Sequence, residues 1–123
     1  LISNELLSKV YKPKYATIKS SRIAGKNIII TFNETNTTYK LNIYELSNKC
    51  KEWAFNSEQY EIVTRHSTME RSYGHIHCAI SHLHNNHIQR VILDKWDAKD
   101  GATFYKTEPE AVFAACQWIL DNK

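Results

Sequence analysis

Glycine, proline and cysteine are all scarce in this chain of 123 residues, which has three glycines, two prolines and three cysteines. With so little glycine and proline, no stretch reads as a flexible linker, and residues 1–123 are expected to form a single domain. The cysteines (Cys50, Cys78 and Cys116) are odd in number, widely spaced and lack any C-x-x-C pair. That pattern argues against a disulfide framework and favours a reducing compartment. Long hydrophobic runs are missing too. Nothing approaches the roughly 20 apolar residues needed to cross a bilayer. The first residues, Leu1-Ile2-Ser3-Asn4-Glu5, offer no basic n-region, so no signal peptide is expected there. A strong excess of one charge is also absent. Sixteen Lys and Arg against thirteen Asp and Glu give +3. This mild excess suits an anionic partner but falls far short of a dedicated duplex-DNA binder.

What remains is ordinary globular composition, 42% apolar and 24% charged. Lysines outnumber arginines twelve to four, beside thirteen isoleucines and ten asparagines. Those residues have A/T-rich codons, which suggests a bacterial or phage gene and a protein of the bacterial cytoplasm.

Residues 1–41 read as a short helix followed by a β-meander. Ser3–Val10 forms the helix, stopped at Tyr11-Lys12-Pro13. Tyr15–Ile23, Lys26–Asn33 and Thr37–Leu41 are the strands, with turns at Ala24-Gly25 and Glu34-Thr35-Asn36. Asn42 starts a helix running to about Phe55, with Glu45 in a variant capping box and a buried stripe of Ile43, Leu46, Cys50, Trp53 and Ala54. Strands follow at Tyr60–His66 and Tyr73–His82, with Ser67–Ser72 as a loop between them. His84–His87 reads as a turn. Ile88–Lys95 fits a strand or a helical turn. Asp100-Gly101 closes a turn over Trp96–Gly101, and Ala102–Lys106 is the last strand. A final helix opens on a capping box, Thr107 with Glu110, and Pro109 in the first turn. Its expected stripe is Val112, Ala115, Cys116 and Ile119, widened by Ala111, Trp118 and Leu120. The fold class implied is α+β: a two-layer sandwich with an antiparallel sheet, two amphipathic helices on one face and the N-terminal β-meander. The other sheet face is left for solvent, a ligand or a second subunit.

All six histidines fall between His66 and His87. Within that window, Tyr73–Ile80 alternates so that His75 and His77 share one side and Ile76, Cys78 and Ile80 the other. Two histidines at i and i+2 on a strand can hold one divalent metal. Here the segment resembles the HUH endonucleases, whose His-hydrophobic-His strand positions a scissile phosphate through a metal for attack by a tyrosine. The resemblance implies a single-stranded DNA endonuclease. It covers about ten residues, and the C-terminal helix carries Phe113 and Trp118 but no tyrosine. Tyr11-Lys12-Pro13-Lys14 has the right letters upstream, next to a proline. Structural zinc lacks its paired spacings, so neither metal nor cofactor is expected. A wider set, Arg65, Arg71, Tyr73, His75, His77 and Arg90, fits anion binding: arginine forks grip phosphate and aromatics stack on bases. No catalytic triad, Gly-rich phosphate loop or paired carboxylates accompany it.

Lys49-Cys50-Lys51-Glu52-Trp53-Ala54 and Thr107 to Leu120 resemble small phage and prophage proteins in which two Ala/Trp helices back a short sheet. Some proteins of that kind oligomerise and sequester a cyclic-nucleotide immune signal. The resemblance implies a non-enzymatic, homo-oligomeric binding protein for a nucleotide, another phosphate-bearing anion or a single-stranded nucleic acid, with no membrane partner. Its alternatives are the metal-dependent nuclease above and a protein-interaction module that inhibits a host enzyme.

Overall fold

Ser3 shows how the first helix is set in place. Its Oγ accepts from the Leu6 N–H at 3.1 Å, the N-cap bond that starts α1 (Asn4–Val10), and donates to Gln117 Oε1 at 2.6 Å. One hydroxyl therefore begins a helix and ties it to the other end of the chain. The computed structural model describes residues 2–11, 17–33, 37–66, 76–84, 87–92, 95–97, 101–103 and 105–122. Among these, His66, His77, Leu83, His84 and residues 87–92, 95–97 and 101–103 are described by their backbone alone.

Three antiparallel strands follow: β1 (Ile18–Ala24), β2 (Asn27–Phe32) and β3 (Thr38–Asn42), in the order β1-β2-β3. β2 alternates strictly, with Ile28, Ile30 and Phe32 buried and Asn27, Ile29 and Thr31 half-buried. That period of two, built from β-branched residues, makes it a strand with one face in the core. The first turn falls at Gly25-Lys26, one residue later than expected, because Gly25 supplies the left-handed φ of +62°. β1 bulges between Ile18 and Ser20.

Asn42 then caps α2 (Ile43–Glu58) as expected, its Oδ1 accepting from Tyr44 and Glu45 N–H at 2.9 and 3.3 Å. The Ile43 N–H donates to the Lys26 carbonyl at 2.9 Å and anchors the helix start to the first turn. The helix runs one turn past Phe55 and ends at Gln59, whose φ of 61° makes the left-handed cap usually left to glycine. The buried stripe is Leu46, Ser47, Cys50, Trp53 and Ala54; Ile43 is only half-buried, because it sits where the helix leaves the sheet.

β4 (Tyr60–His66) has the expected bounds. It pairs with β5 (Ile76–His84), which pairs with β6 (His87–Ile92). Residues 88–92 are thus strand and not helix. Residues 73–75, expected to open β5, and the 67–72 loop lie outside the described residues. The expected 84–87 turn is narrower: His84 and His87 are themselves paired at the strand ends. The strands also do not share one sheet. β7 (Lys95–Asp97) and β8 (Gly101–Thr103) form a separate hairpin, so Trp96 stands in a strand where a turn was expected. Beyond them, Tyr105 bridges to Ile76 by two backbone hydrogen bonds of 2.7 and 3.2 Å.

α3 (Glu108–Asp121) closes the chain with Thr107 as N-cap, its Oγ1 accepting from the Glu110 N–H at 3.3 Å. The returning bond of the capping box goes one residue further back than expected, from the Lys106 N–H to Glu110 Oε2 at 3.4 Å. α2 and α3 lie against each other and against β4, and α3 also against β5. Side chains from all three helices and both three-stranded sheets meet in one buried cluster that includes Leu6, Ile30, Leu46, Ile80, Val112 and Ile119. The fold is α+β, helices on antiparallel sheet, and among the described residues no sheet closes into a barrel. Among the described residues, no helix is long and apolar enough to cross a membrane.

Candidate functional site

The face of β4–β6 turned away from the helices follows from the register. Ile76, Cys78 and Ile80 are buried on the side that packs against α3, so the odd-numbered residues of β5 belong to the opposite side. Arg65 of β4 pairs with His77; Val63 pairs with Ala79, which pairs in turn with Ile92 of β6; and Glu61 pairs with Ser81, which pairs with Arg90. Arg65, Glu61 and Val63 are exposed. Ala79 is only 7% exposed, although it lies on this side.

Of the six residues expected to form a site, three fall on this face by register: Arg65, His77 and Arg90. Arg71, Tyr73 and His75 lie outside the described residues. Arg65 and Arg90 do not converge. They are four residues apart along the strands and two strands apart across them, which puts their Cα atoms roughly 16 Å from each other. By register Glu61 shares a row with Ser81 and Arg90, whereas no carboxylate position is paired with Arg65.

The remaining histidines do not gather around that pair. His66 is the register partner of Ile76, with core-facing parity. His82 stacks on Tyr60, with ring centroids 4.1 Å apart and planes 16° from parallel, and Trp118 meets Tyr60 edge-on at 6.2 Å. This aromatic stack closes the helix side of the sheet. Among the described residues, no three His, Cys, Asp or Glu side chains form a group that could hold a metal ion.

The cysteines are core residues. Cys78 donates to the Ala111 carbonyl at 3.6 Å and Cys116 to the Cys50 carbonyl at 3.5 Å, which staples β5 to α3 and α3 to α2. Hydrogen bonding to Cys50, then burial and the charge of Cys50, push the Cys116 thiol well above its ordinary range. Protonated and enclosed, it is a poor nucleophile. Tyr11, ring to ring with Tyr39 at 5.7 Å, is raised as well, mostly by desolvation and then by Tyr39.

A second polar surface escaped the sequence reading. The outward side of β1–β3 carries exposed Ser20, Arg22, Thr38 and Lys40 around half-buried Ile29 and Thr31. The available signal was the distribution of charge along the chain, which the total of +3 conceals.

The molecule therefore defines a class of architecture: an antiparallel α+β fold with helices on one side and polar sheet faces on the other. No family model, curated protein or solved structure matches the chain.

Proposed function

We propose that this chain is a non-enzymatic binding protein for a nucleotide or another extended phosphate-bearing anion. Its site is the outward face of β4–β6, with Arg65, His77 and Arg90 as phosphate partners. The supporting observation is the cross-strand pairing of exposed Arg65 with His77. The exposed Arg65 guanidinium offers a bidentate grip on phosphate, and His77 is the residue its strand register sets across from it. The roughly 16 Å between Arg65 and Arg90 favours a ligand of dinucleotide size over a single phosphate group. Arg71, Tyr73 and His75 belong to the same reading, as the segment that leads into β5. The sequestering role of some small phage proteins fits a binder of this kind, and self-association through the same layer would enclose the ligand.

Isothermal titration of the chain against cyclic and linear mono- and dinucleotides tests the reading. At least one dinucleotide should bind, and Arg65→Ala should weaken it about tenfold, the scale of one charge-assisted contact. No heat from any nucleotide at protein concentrations of tens of micromolar would overturn it. Light scattering on the same samples reports whether the complex is a closed oligomer.

A further inference from the structure

Charge is divided unevenly along this chain. Residues 1–42 hold seven Lys and Arg against two Glu, while residues 43–123 hold nine against eleven Asp and Glu. The overall +3 is thus the difference between a basic N-terminal region and a slightly acidic remainder. Such asymmetry within one chain is a mark of interaction with a polyanion.

The structure gathers part of that charge onto a surface. The strands Ile-Lys-Ser-Ser-Arg-Ile-Ala, Asn-Ile-Ile-Ile-Thr-Phe and Thr-Tyr-Lys-Leu-Asn contain no acidic residue. Register aligns Arg22, Ile29 and Lys40 in one row across the sheet and Ser20, Thr31 and Thr38 in the next. Residues paired across a sheet share a face, so both rows belong to the side opposite buried Ile28 and Ile30. Arg22 and Lys40 stand at the two margins, about 9.6 Å apart by strand spacing, with the hydroxyl row about 7 Å further along. Both cations are exposed, and among the described residues neither forms an ion pair. Lys26, exposed at the first turn, and Lys19, exposed at the bulge, extend the positive field beyond the rows.

We infer that this face docks the phosphate backbone of double-stranded nucleic acid without reading its bases. Arginine, lysine and short hydroxyl side chains are the groups that hold phosphate oxygens in such complexes. Among the described residues the face has no aromatic platform for unstacked bases, because Tyr39 has the opposite parity and meets Tyr11. A single strand would find no stacking partner here, whereas a duplex presents its phosphates outward and keeps its bases to itself. An anionic membrane is a poorer fit, since the one apolar side chain in the two rows, Ile29, is half-buried and cannot insert. This surface lies on a different sheet from the Arg65–His77 face, so the two proposals stand or fall separately.

Fluorescence anisotropy with a labelled duplex of about 20 base pairs tests the inference, at several salt concentrations between roughly 50 and 200 mM. The expected result is dissociation constants of about 10⁻⁴ to 10⁻⁶ M that weaken with salt, and an R22A/K40A double variant whose log–log salt slope is shallower by about two. Parent and double variant should melt at the same temperature, because both side chains are exposed; should the pair fail to fold, Lys40→Ala alone should lower the slope by about one. Arg65→Ala should bind duplex like the parent. Three outcomes would each overturn the inference: no duplex binding at the lowest salt, undiminished binding by the double variant, or a single strand of the same sequence binding as tightly as the duplex.

Discussion

The two three-stranded sheets are built alike and surfaced differently. Each is an antiparallel sheet with one face in the common core, through Ile28, Ile30 and Phe32 of β2 and through Ile76, Cys78 and Ile80 of β5. On the outward side the resemblance ends. β1–β3 show cations and hydroxyls without a carboxylate, whereas β4–β6 set Glu61 in line with Arg90 and place Arg65 at the far corner. Inward positions are fixed by the need to remove apolar surface from water, which is the same for both sheets. Outward positions carry no such constraint and are free to differ, so a difference there is the better guide to what each sheet meets. An average over the whole chain erases that guide.

The largest test of the comparison concerns what the sheets share. Ile30→Ala and Ile80→Ala each remove a fully buried side chain, one from each sheet, and each should cost about 3 kcal/mol. Because both side chains belong to one cluster, the loss should appear in a single cooperative transition in urea for either variant. Two separated transitions in the Ile30→Ala protein would break the shared core into two.

A smaller effect should belong to the helix layer over the second sheet. The folded Cys116 thiol keeps its proton where the unfolded one releases it, near the ordinary value of 9.0. The folded state then binds more protons than the unfolded one, so stability from this group is level below about pH 8 and falls above pH 9 by up to about 1.4 kcal/mol per pH unit. Urea titrations between pH 8 and 10 measure the slope, and Cys116→Ala should flatten it. A slope that persists in that variant would move the titrating group elsewhere, to the Tyr11–Tyr39 contact of the first region among other places.

The smallest effect sits at the joint between the regions. Gln59 holds a left-handed cap at φ 61° between α2 and β4. Gln59→Gly should relieve that conformation and stabilise the protein by about 0.5 to 1 kcal/mol. Thermal melting checks it, and a destabilised variant would show that the Gln59 side chain contributes more than its backbone costs.

Much of the fold is legible in the sequence. β4 matched to the residue, and the caps at Asn42 and Thr107 were marked by side chains that satisfy free N–H groups locally. Where the structure departs from local signals, long-range strand pairing is the reason. Asp100-Gly101 is a strong local signal that predicts a turn over Trp96, yet pairing of Asp97 with Gly101 makes the glycine a strand residue. The six histidines are close in sequence, but alternation already separates His77 from the even-numbered positions of β5. Pairing disperses them: His77 opposite Arg65, His66 opposite Ile76, and His82 onto the Tyr60 ring. Of the candidate site, parity along β5 was legible, but the distance between Arg65 and Arg90 was not, since it depends on how three strands align. Arg71, Tyr73 and His75 fall outside the described residues, and their part in the site rests on sequence.

Local chemistry in the sequence determined where helices begin, which positions alternate and which side chains enter the core, because these depend on neighbours within a few residues. Tertiary structure alone decided which strands pair, how far apart the arginines stand and that Arg22 and Lys40 share a row. Those facts are set by register between segments distant along the chain, where a shift of one residue would turn every side chain to the other face.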